Sequence, residues 1–323
     1  MKVVNHIDEI DFKKNSIITI GTFDGIHLAH QNILQKVVSE SKVRNARSVV
    51  LTFDPHPRDV LNQGSGPIKL LTSIQERQEL CEKIGIDLFI VLKFDKDLSK
   101  LNFREFYISF ILKKIGVCAV VEGYDHHWGN NREGNIEALS LLGKEFGFDV
   151  IKIEPVNFEN TLINSSLIRK ELICGNVENV SRYLNRPYEL SGFVSVGEKR
   201  GRLLGFPTAN LRLETDKKLL PKNGIYFVRI AVEKKYYFGM ASIGVRPTFH
   251  ENGQLTVEVN IFDFEKDIYG ANINIQFLRR LRDELKFESS DQLVEQMKND
   301  REISLKLSMN YQANVSNYTM LNN

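Results

Sequence analysis

SIITIGTFDGIHLAH, residues 16–30, decides the fold of the first half of this chain. The run Ser16–Ile20 is rich in β-branched residues and shows no polar alternation, as in a strand buried on both faces. Gly21 to Gly25 then supplies turn chemistry, and a helical spacing follows over Gln31–Lys42. Strand, glycine-bounded turn and helix make the first half of a βαβ unit. Such a junction presents the unpaired N–H groups of a helix start beyond a strand's carboxyl end. Open parallel sheets bind anions there. His27 and His30, three residues apart, share one helix face. Their ring N–H groups suit nucleotide phosphates and the charge that develops as pyrophosphate leaves. Taken alone, the pair reads as polar residues at a helix cap; the surrounding pattern reverses that reading.

The alternation continues outward. Strand-like runs recur at Ser48–Phe53, Leu88–Leu92, Val117–Val121 and Asp149–Ile153, with helical patterns at Ile74–Ile84, Phe103–Ile115 and Asn135–Phe146. Strands alternating with helices predict an α/β domain on a parallel sheet. Two more helices are predicted, Ser165–Cys174 and Val177–Leu184. The pattern changes at Asn185-Arg186-Pro187. Strand-like runs without crossover helices follow: Glu189–Val196, Tyr226–Val232, Tyr236–Ile243, Thr256–Phe262 and Asn274–Leu281. They predict a small antiparallel barrel or sandwich. A closing helix over Ser290–Arg301, apolar at Leu293, Val294 and Met297, would pack on it. The expected division is 1–185, 186–305 and a weakly ordered tail, 306–323.

Bulk properties narrow the function. A chain of 323 residues is long for one core. Net charge is +2 with both signs interspersed, which lacks the basic face of a nucleic-acid binder. Cys81, Cys118 and Cys174 are far apart and form no CxxC, which argues against a disulfide framework or a zinc site. The charged N-terminus is not a signal peptide, and no apolar run approaches a membrane span. The expectation is a cytoplasmic protein with neither nucleic acid nor membrane as partner. Oligomeric state is left open.

Further motifs fall at or just beyond strand ends: TFDPHP (52–57), EGYDHHWGNNREGN (122–135) and NSSLIR (164–169). Ser165 and Ser166 at a helix start, with Arg169 one turn on, make a phosphate clamp or a plain N-cap beside a surface arginine. Asp125 suits a polar ligand or an Asx-turn. His56 sits between two prolines, and Trp128 suits a ring stack or the core.

In the second half, GEKRGRLLGFPTANL (197–211) is a loop in which Gly197, Gly201 and Gly205 let backbone N–H groups approach phosphates, with Arg202 among its cations. No GK[ST] follows, so it is not a Walker A loop. Thr208 and Asn210 alternate in an extended segment and face one side. Two neutral oxygen ligands suit Mg²⁺ that keeps waters and binds phosphates. A Gly-rich surface hairpin is the bland alternative. Glu258 lies between Val257 and Val259 and leaves on the opposite face from them. A carboxylate on the inner face of a small barrel could take a proton from an alcohol attacking a γ-phosphate. The alternative is an exposed strand glutamate.

Strand, GTFDG and HxxH together resemble the signature of the HxGH nucleotidyltransferases. GRLLGFPTAN (201–210), SIGVRPTF (242–249), VEVNIFDFEKDIYG (257–270) and FLRRLRDELKFESSDQLVEQMKND (277–300) look like successive riboflavin kinase segments. Order and spacing therefore resemble the bacterial bifunctional riboflavin kinase/FMN adenylyltransferases, over roughly residues 12 to 301. The resemblance implies a Rossmann-like nucleotidyltransferase domain with a parallel sheet, then a small antiparallel β-barrel kinase domain with its closing helix. It implies ATP-dependent phosphorylation of riboflavin to FMN with Mg²⁺, then adenylylation of FMN by a second ATP to FAD and pyrophosphate.

Carried onto this sequence, His27 and His30 would meet ATP phosphates. Gly21, Phe23, Asp24, Ser165, Ser166 and Arg169 would belong to the same ATP site, and Gly197, Arg202 and Gly205 to the kinase ATP site. Thr208 and Asn210 would hold the metal, and Glu258 would be the kinase base. Asp125 and Arg282 would face flavin. The sequence departs from the family at Ala29, where glycine is usual, and at Ser166, Trp128 and Ser242. Two narrower readings follow. In one, Ala29 impairs adenylyl transfer and leaves a kinase alone. In the other, the chain is a flavin-binding regulator, against which the retained Thr208, Asn210 and Glu258 argue.

Overall fold

In a computed structural model, which describes residues 1–61, 66–124, 134–196, 205–245 and 255–321 and side chains as far as residue 311, Ser16–Ile20 is a strand buried at all five positions. It is β2 of a six-stranded parallel sheet with β1 (Lys2–Val4), β3 (Arg47–Asp54), β4 (Leu88–Lys93), β5 (Ala119–Gly123) and β6 (Asp149–Ile153), in the order β1-β4-β3-β2-β5-β6. Both faces are covered, which explains the unbroken apolar runs. Ile18, Ile20, Val49 and Leu51 meet one core with Tyr107, Ile111 and Leu139. Ile17, Val50, Phe89 and Val121 meet the other with Leu34, Val37 and Cys81. From β2 the chain moves through β3 to β4 on one side, then returns to place β5 on the other side of β2. That reversal sets the switch point at the carboxyl ends of β2 and β5, where doubly wound sheets bind ligands.

The helices of this half are α1 (Leu28–Val43), α2 (Pro57–Leu61), α3 (Ile74–Ile84), α4 (Phe103–Phe106), which runs on in wider π-type turns over Tyr107–Ile115, and α5 (Ile136–Phe146). Helix α3 begins with a capping box between Ser73 and Glu76 and ends at Gly85 in the left-handed region, φ 98°. Helix α1 starts earlier than its apolar spacing predicts, with His27 as its N-cap. The edge strand β1, helix α2 and the small hairpin β7 (Asn157–Phe158) and β8 (Thr161–Leu162) are too short to carry a periodic signal.

Then come α6 (Ser165–Cys174) and α7 (Val177–Leu184). The compact units are Met1–Leu167 and Ile168–Asn323, so packing divides the chain inside α6, ahead of the composition change at Asn185. The reason is α7, which buries Val177, Val180, Tyr183 and Leu184 and packs on barrel strands.

Six antiparallel strands close that barrel: β9 (Tyr188–Ser195), β10 (Ala209–Leu213), β11 (Gly224–Val232), β12 (Lys235–Val245), β13 (Leu255–Ile261) and β14 (Asn272–Arg282), in the order β10-β13-β12-β11-β14-β9. Closure removes exposed edges. Helix α8 (Ser290–Leu321) packs on β12. Its backbone runs beyond Arg301, where the sequence pattern ends the helix. No glycine or proline occurs from 290 to 321 to stop it.

Candidate active sites

The turn from Gly21 to His27 carries the N-terminal site. Phe23, Gly25 and Ile26 have φ of 47°, 89° and 38°, all in the left-handed region. Glycine adopts it freely; Phe23 and Ile26 pay about 1–3 kcal/mol each and need surroundings that enforce the conformation. Two buried charges do so. Asp24, fully buried, accepts from the backbone N–H groups of Leu71 and Thr72, each at 2.9 Å. The Thr72 hydroxyl in turn accepts from Gly25 N–H at 2.8 Å. From α3, Arg77, 1% exposed, donates Nη1 to the Thr22 carbonyl at 2.7 Å and to the Thr52 hydroxyl at 3.3 Å. Thr52 Oγ1 donates to the same carbonyl at 3.2 Å. Asp24, expected in the ATP site, is thus occupied with the backbone of the turn. Its carboxylate satisfies buried backbone donors and braces the turn.

Gly21 and Phe23 also act through shape. A Cβ on Gly21 would lie 3.1 Å from the Phe23 ring, which folds back over it. That ring meets His30 edge-on with centroids 5.2 Å apart, and His30 stacks on His27 at 3.7 Å. The two histidines are thus brought together at the first turn of α1, just past β2. Ala29 lies between them at the second helical position and is half-exposed.

Ser165 donates its hydroxyl to the Asp24 carbonyl at 2.9 Å, which ties the start of α6 to the same turn. The α6 cap is Asn164, whose side chain accepts from Leu167 N–H. Ser166 is exposed on the first turn of α6, and half-buried Arg169 follows it on the same helix. His56 Nδ1 accepts from Arg58 N–H at 3.1 Å, which leaves the ring proton of a neutral imidazole on Nε2. Asp125, Trp128, Gly197 and Arg202 lie outside the described residues.

Two buried groups escaped the sequence reading. Glu122, 2% exposed at the end of β5, accepts from the Tyr107 hydroxyl at 3.3 Å. Burial, reinforced by Glu122, pushes the Tyr107 phenol well above its ordinary value. Arg77 is the other. Its signal was present: Ile74, Arg77 and Cys81 share a helix stripe, so an arginine stands in the apolar face of α3.

In the barrel, the hydroxyl of Thr208 donates to Glu258 Oε2 at 3.3 Å, and Asn210 lies directly opposite Glu258 across β10 and β13. Cross-strand partners share a face. The registers line up Ser195, Asn210, Glu258 and Ser242 across four strands, all polar and half-buried. The adjacent row, Val194, Leu211, Val257 and Ile243, is buried and apolar. The interior of a small closed barrel is filled by such side chains. Glu258 therefore stands on the outer face, which corrects the expected inner one. Asn260 holds the approach to Thr208 by donating to the Pro207 carbonyl at 2.8 Å. Gly205 turns the chain with φ 80°.

Arg282, expected to face flavin, is engaged by the protein itself. Its guanidinium grips Asp300 of α8, with Nη2 to Oδ2 at 2.7 Å and Nε to both oxygens at 3.0 and 3.1 Å. Gln296 donates to the same carboxylate at 2.9 Å. A bidentate partner this buried fixes the planar fork on the protein itself. Among the described residues no three His, Cys, Asp or Glu side chains cluster to hold a metal, and no helix is long and apolar enough to cross a membrane.

Two family models match the chain. One described as FAD synthetase covers residues 9–167, and one described as riboflavin kinase covers residues 184–308. A bifunctional riboflavin kinase/FMN adenylyltransferase of Listeria monocytogenes is 34% identical over 89% of this chain and 91% of its own. The protein of the same description from Escherichia coli is 30% identical over 93% and 96%. A solved Streptococcus pneumoniae chain described as a macrolide-efflux protein superposes with a TM-score of 0.86 at 32% identity, covering 94% of this chain and 98% of that one.

Proposed function

The chain belongs to the bifunctional riboflavin kinase/FMN adenylyltransferases, which use ATP to make FMN and then FAD, and from that premise we propose how its residues divide the work. The first unit adenylylates FMN. The observation that carries this is the stacked pair His27 and His30 at the start of α1, beside the switch point of the sheet. An FMN phosphate oxygen attacks the α-phosphorus of ATP, and pyrophosphate leaves. The chemistry asks for positioning and for donors where negative charge grows. The two imidazoles and the first-turn N–H groups of α1 supply them. Ser166 and Arg169 add contacts from α6, while Gly21, Phe23, Asp24 and Ser165 hold the turn in shape. Asp125 keeps its proposed place in this site.

The barrel phosphorylates riboflavin. Glu258 accepts the proton of the ribityl hydroxyl as that oxygen attacks the γ-phosphorus, the bond to the β,γ-bridging oxygen breaks and ADP leaves. Gly197, Arg202 and Gly205 belong to the loop that approaches ATP. A hydroxyl and an amide oxygen beside one carboxylate form an all-oxygen donor set, which suits Mg²⁺. Thr208 and Asn210 would hold that ion with the ATP phosphates, where it supplies charge neutralisation. Riboflavin, FMN and ATP are the partners, and the cytoplasm is the proposed location.

The test is His30→Ala, assayed for both products. FAD formation from FMN should fall by about 10²- to 10³-fold while FMN formation persists. Loss of both activities, or of neither, would refute the division.

A further inference from the structure

The proposed adenylyl-transfer site rests on a turn whose backbone is unfavourable at Phe23 and Ile26. What holds it is asymmetric. On one side Asp24 reaches the backbone of Leu71 and Thr72. On the other side, among the described residues, the charged group on the Thr22 carbonyl is the guanidinium of Arg77. Arg77 comes from α3, far along the chain, and is 1% exposed. Its Nη1 bridges the Thr22 carbonyl and the Thr52 hydroxyl, so it joins the end of β3 to the turn that follows β2. Nε also donates to the Ser73 carbonyl at 3.4 Å, which anchors the guanidinium to the start of its own helix.

We infer that Arg77 is a positioning residue for adenylyl transfer: it sets the turn after β2, and through it the nucleotide-binding geometry of His27 and His30, without touching ATP. This rests on the reading of the first unit given above. The reasons are chemical. Burying a guanidinium is costly, and an apolar side chain on this stripe of α3 would pack at lower cost. The Thr52 hydroxyl already gives this carbonyl a neutral donor, and Arg77 adds the charged one at shorter range. One carbonyl fixed at 2.7 Å by a charge-assisted bond sets the peptide plane that leads into Phe23. Phe23, Gly25 and Ile26 then follow in the left-handed region before the chain reaches the cap of α1. Lysine can bring one ammonium donor to the same carbonyl, whereas methionine fills similar volume with none.

The experiment compares Arg77→Met, Arg77→Lys and Thr52→Val in the full-length protein. FAD formation from FMN and FMN formation from riboflavin are assayed separately. In Arg77→Met, KM for ATP in the FAD-forming step should rise about tenfold, with KM for FMN and the kinase constants unchanged. A partly unfolded population lowers the amplitude of a rate but leaves KM alone. Lysine should restore much of the ATP KM even where it lowers the melting temperature more than methionine does. Thr52→Val, which removes one hydroxyl from the bridge, should shift the same KM in the same direction by less. An unchanged ATP KM in Arg77→Met, or Lys no better than Met, overturns the inference. If FAD formation proves insensitive to His30→Ala as well, the site assignment itself has failed rather than the role of Arg77.

Discussion

The hydroxyl of Thr208 donates to Glu258 Oε2 across 3.3 Å, although 50 residues separate them in the chain. Pairing of β10 with β13 makes this contact, with Asn210 opposite Glu258. Glu258→Gln keeps the size and the contact with Thr208 but removes the proton acceptor. FMN formation should fall by about 10²- to 10⁴-fold. FAD formation from supplied FMN should continue at the wild-type rate, measured by separating flavins from parallel reactions. Loss of both would contradict two sites.

Arg282 and Asp300 hold the end of β14 to α8. Asp300→Ala leaves the Arg282 guanidinium, 18% exposed, without its carboxylate partner. The barrel unit should lose about 3 kcal/mol, because removing one partner strands the other charge. Urea unfolding followed in the barrel reads this directly. A variant as stable as wild type would mean that α8 is held by other contacts.

Ala29 sits in helical backbone at the second position of α1, and nothing there calls for the conformational freedom of glycine. Ala29→Gly should destabilise the first unit by at most about 1 kcal/mol. Any kinetic change should appear in the FAD-forming step alone. An altered rate of FMN formation would be incompatible with separate sites.

Alkali should loosen the first unit before neutral pH does any harm. Burial pushes the Cys81 thiol from its ordinary 9.0 to about 12, with Arg77 pulling the other way. Tyr107 is raised too, first by burial and then by Glu122. Both groups prefer the neutral form when folded. Their contribution is complete below the unfolded pKa values and is lost as pH climbs through the folded ones. Stability should therefore fall from about pH 9 toward pH 12. Cys81 should also resist a thiol reagent at neutral pH that modifies exposed Cys174. A stability plateau through that range would show that neither group is buried in solution.

Much of the fold was legible because burial writes itself into periodicity. The run Ser16–Ile20 had no polar alternation, and the sheet covers both its faces. Helices Ile74–Ile84, Ser165–Cys174 and Val177–Leu184 coincide with their apolar spacing to the residue. Short elements such as β1 and α2 were silent, since two to five residues hold no period. In the candidate sites, the sequence pointed to His27, His30, Thr208, Asn210 and Glu258 by residue type and spacing.

Their partners were not. The sequence by itself determined the order of strands and helices, the change of architecture near Asn185 and which side chains are candidates for the chemistry. Those depend on local pattern, which a linear string records. Only the tertiary structure decided what each polar group is bonded to. It turned Asp24 toward Leu71 and Thr72, locked Arg282 onto Asp300, brought Arg77 under Thr22 and set Glu258 on the outer face of the barrel. The reason is physical: a carboxylate or a guanidinium is satisfied by whatever donor or acceptor packing brings within hydrogen-bond reach. That neighbour is chosen by strand register and helix docking over tens of residues.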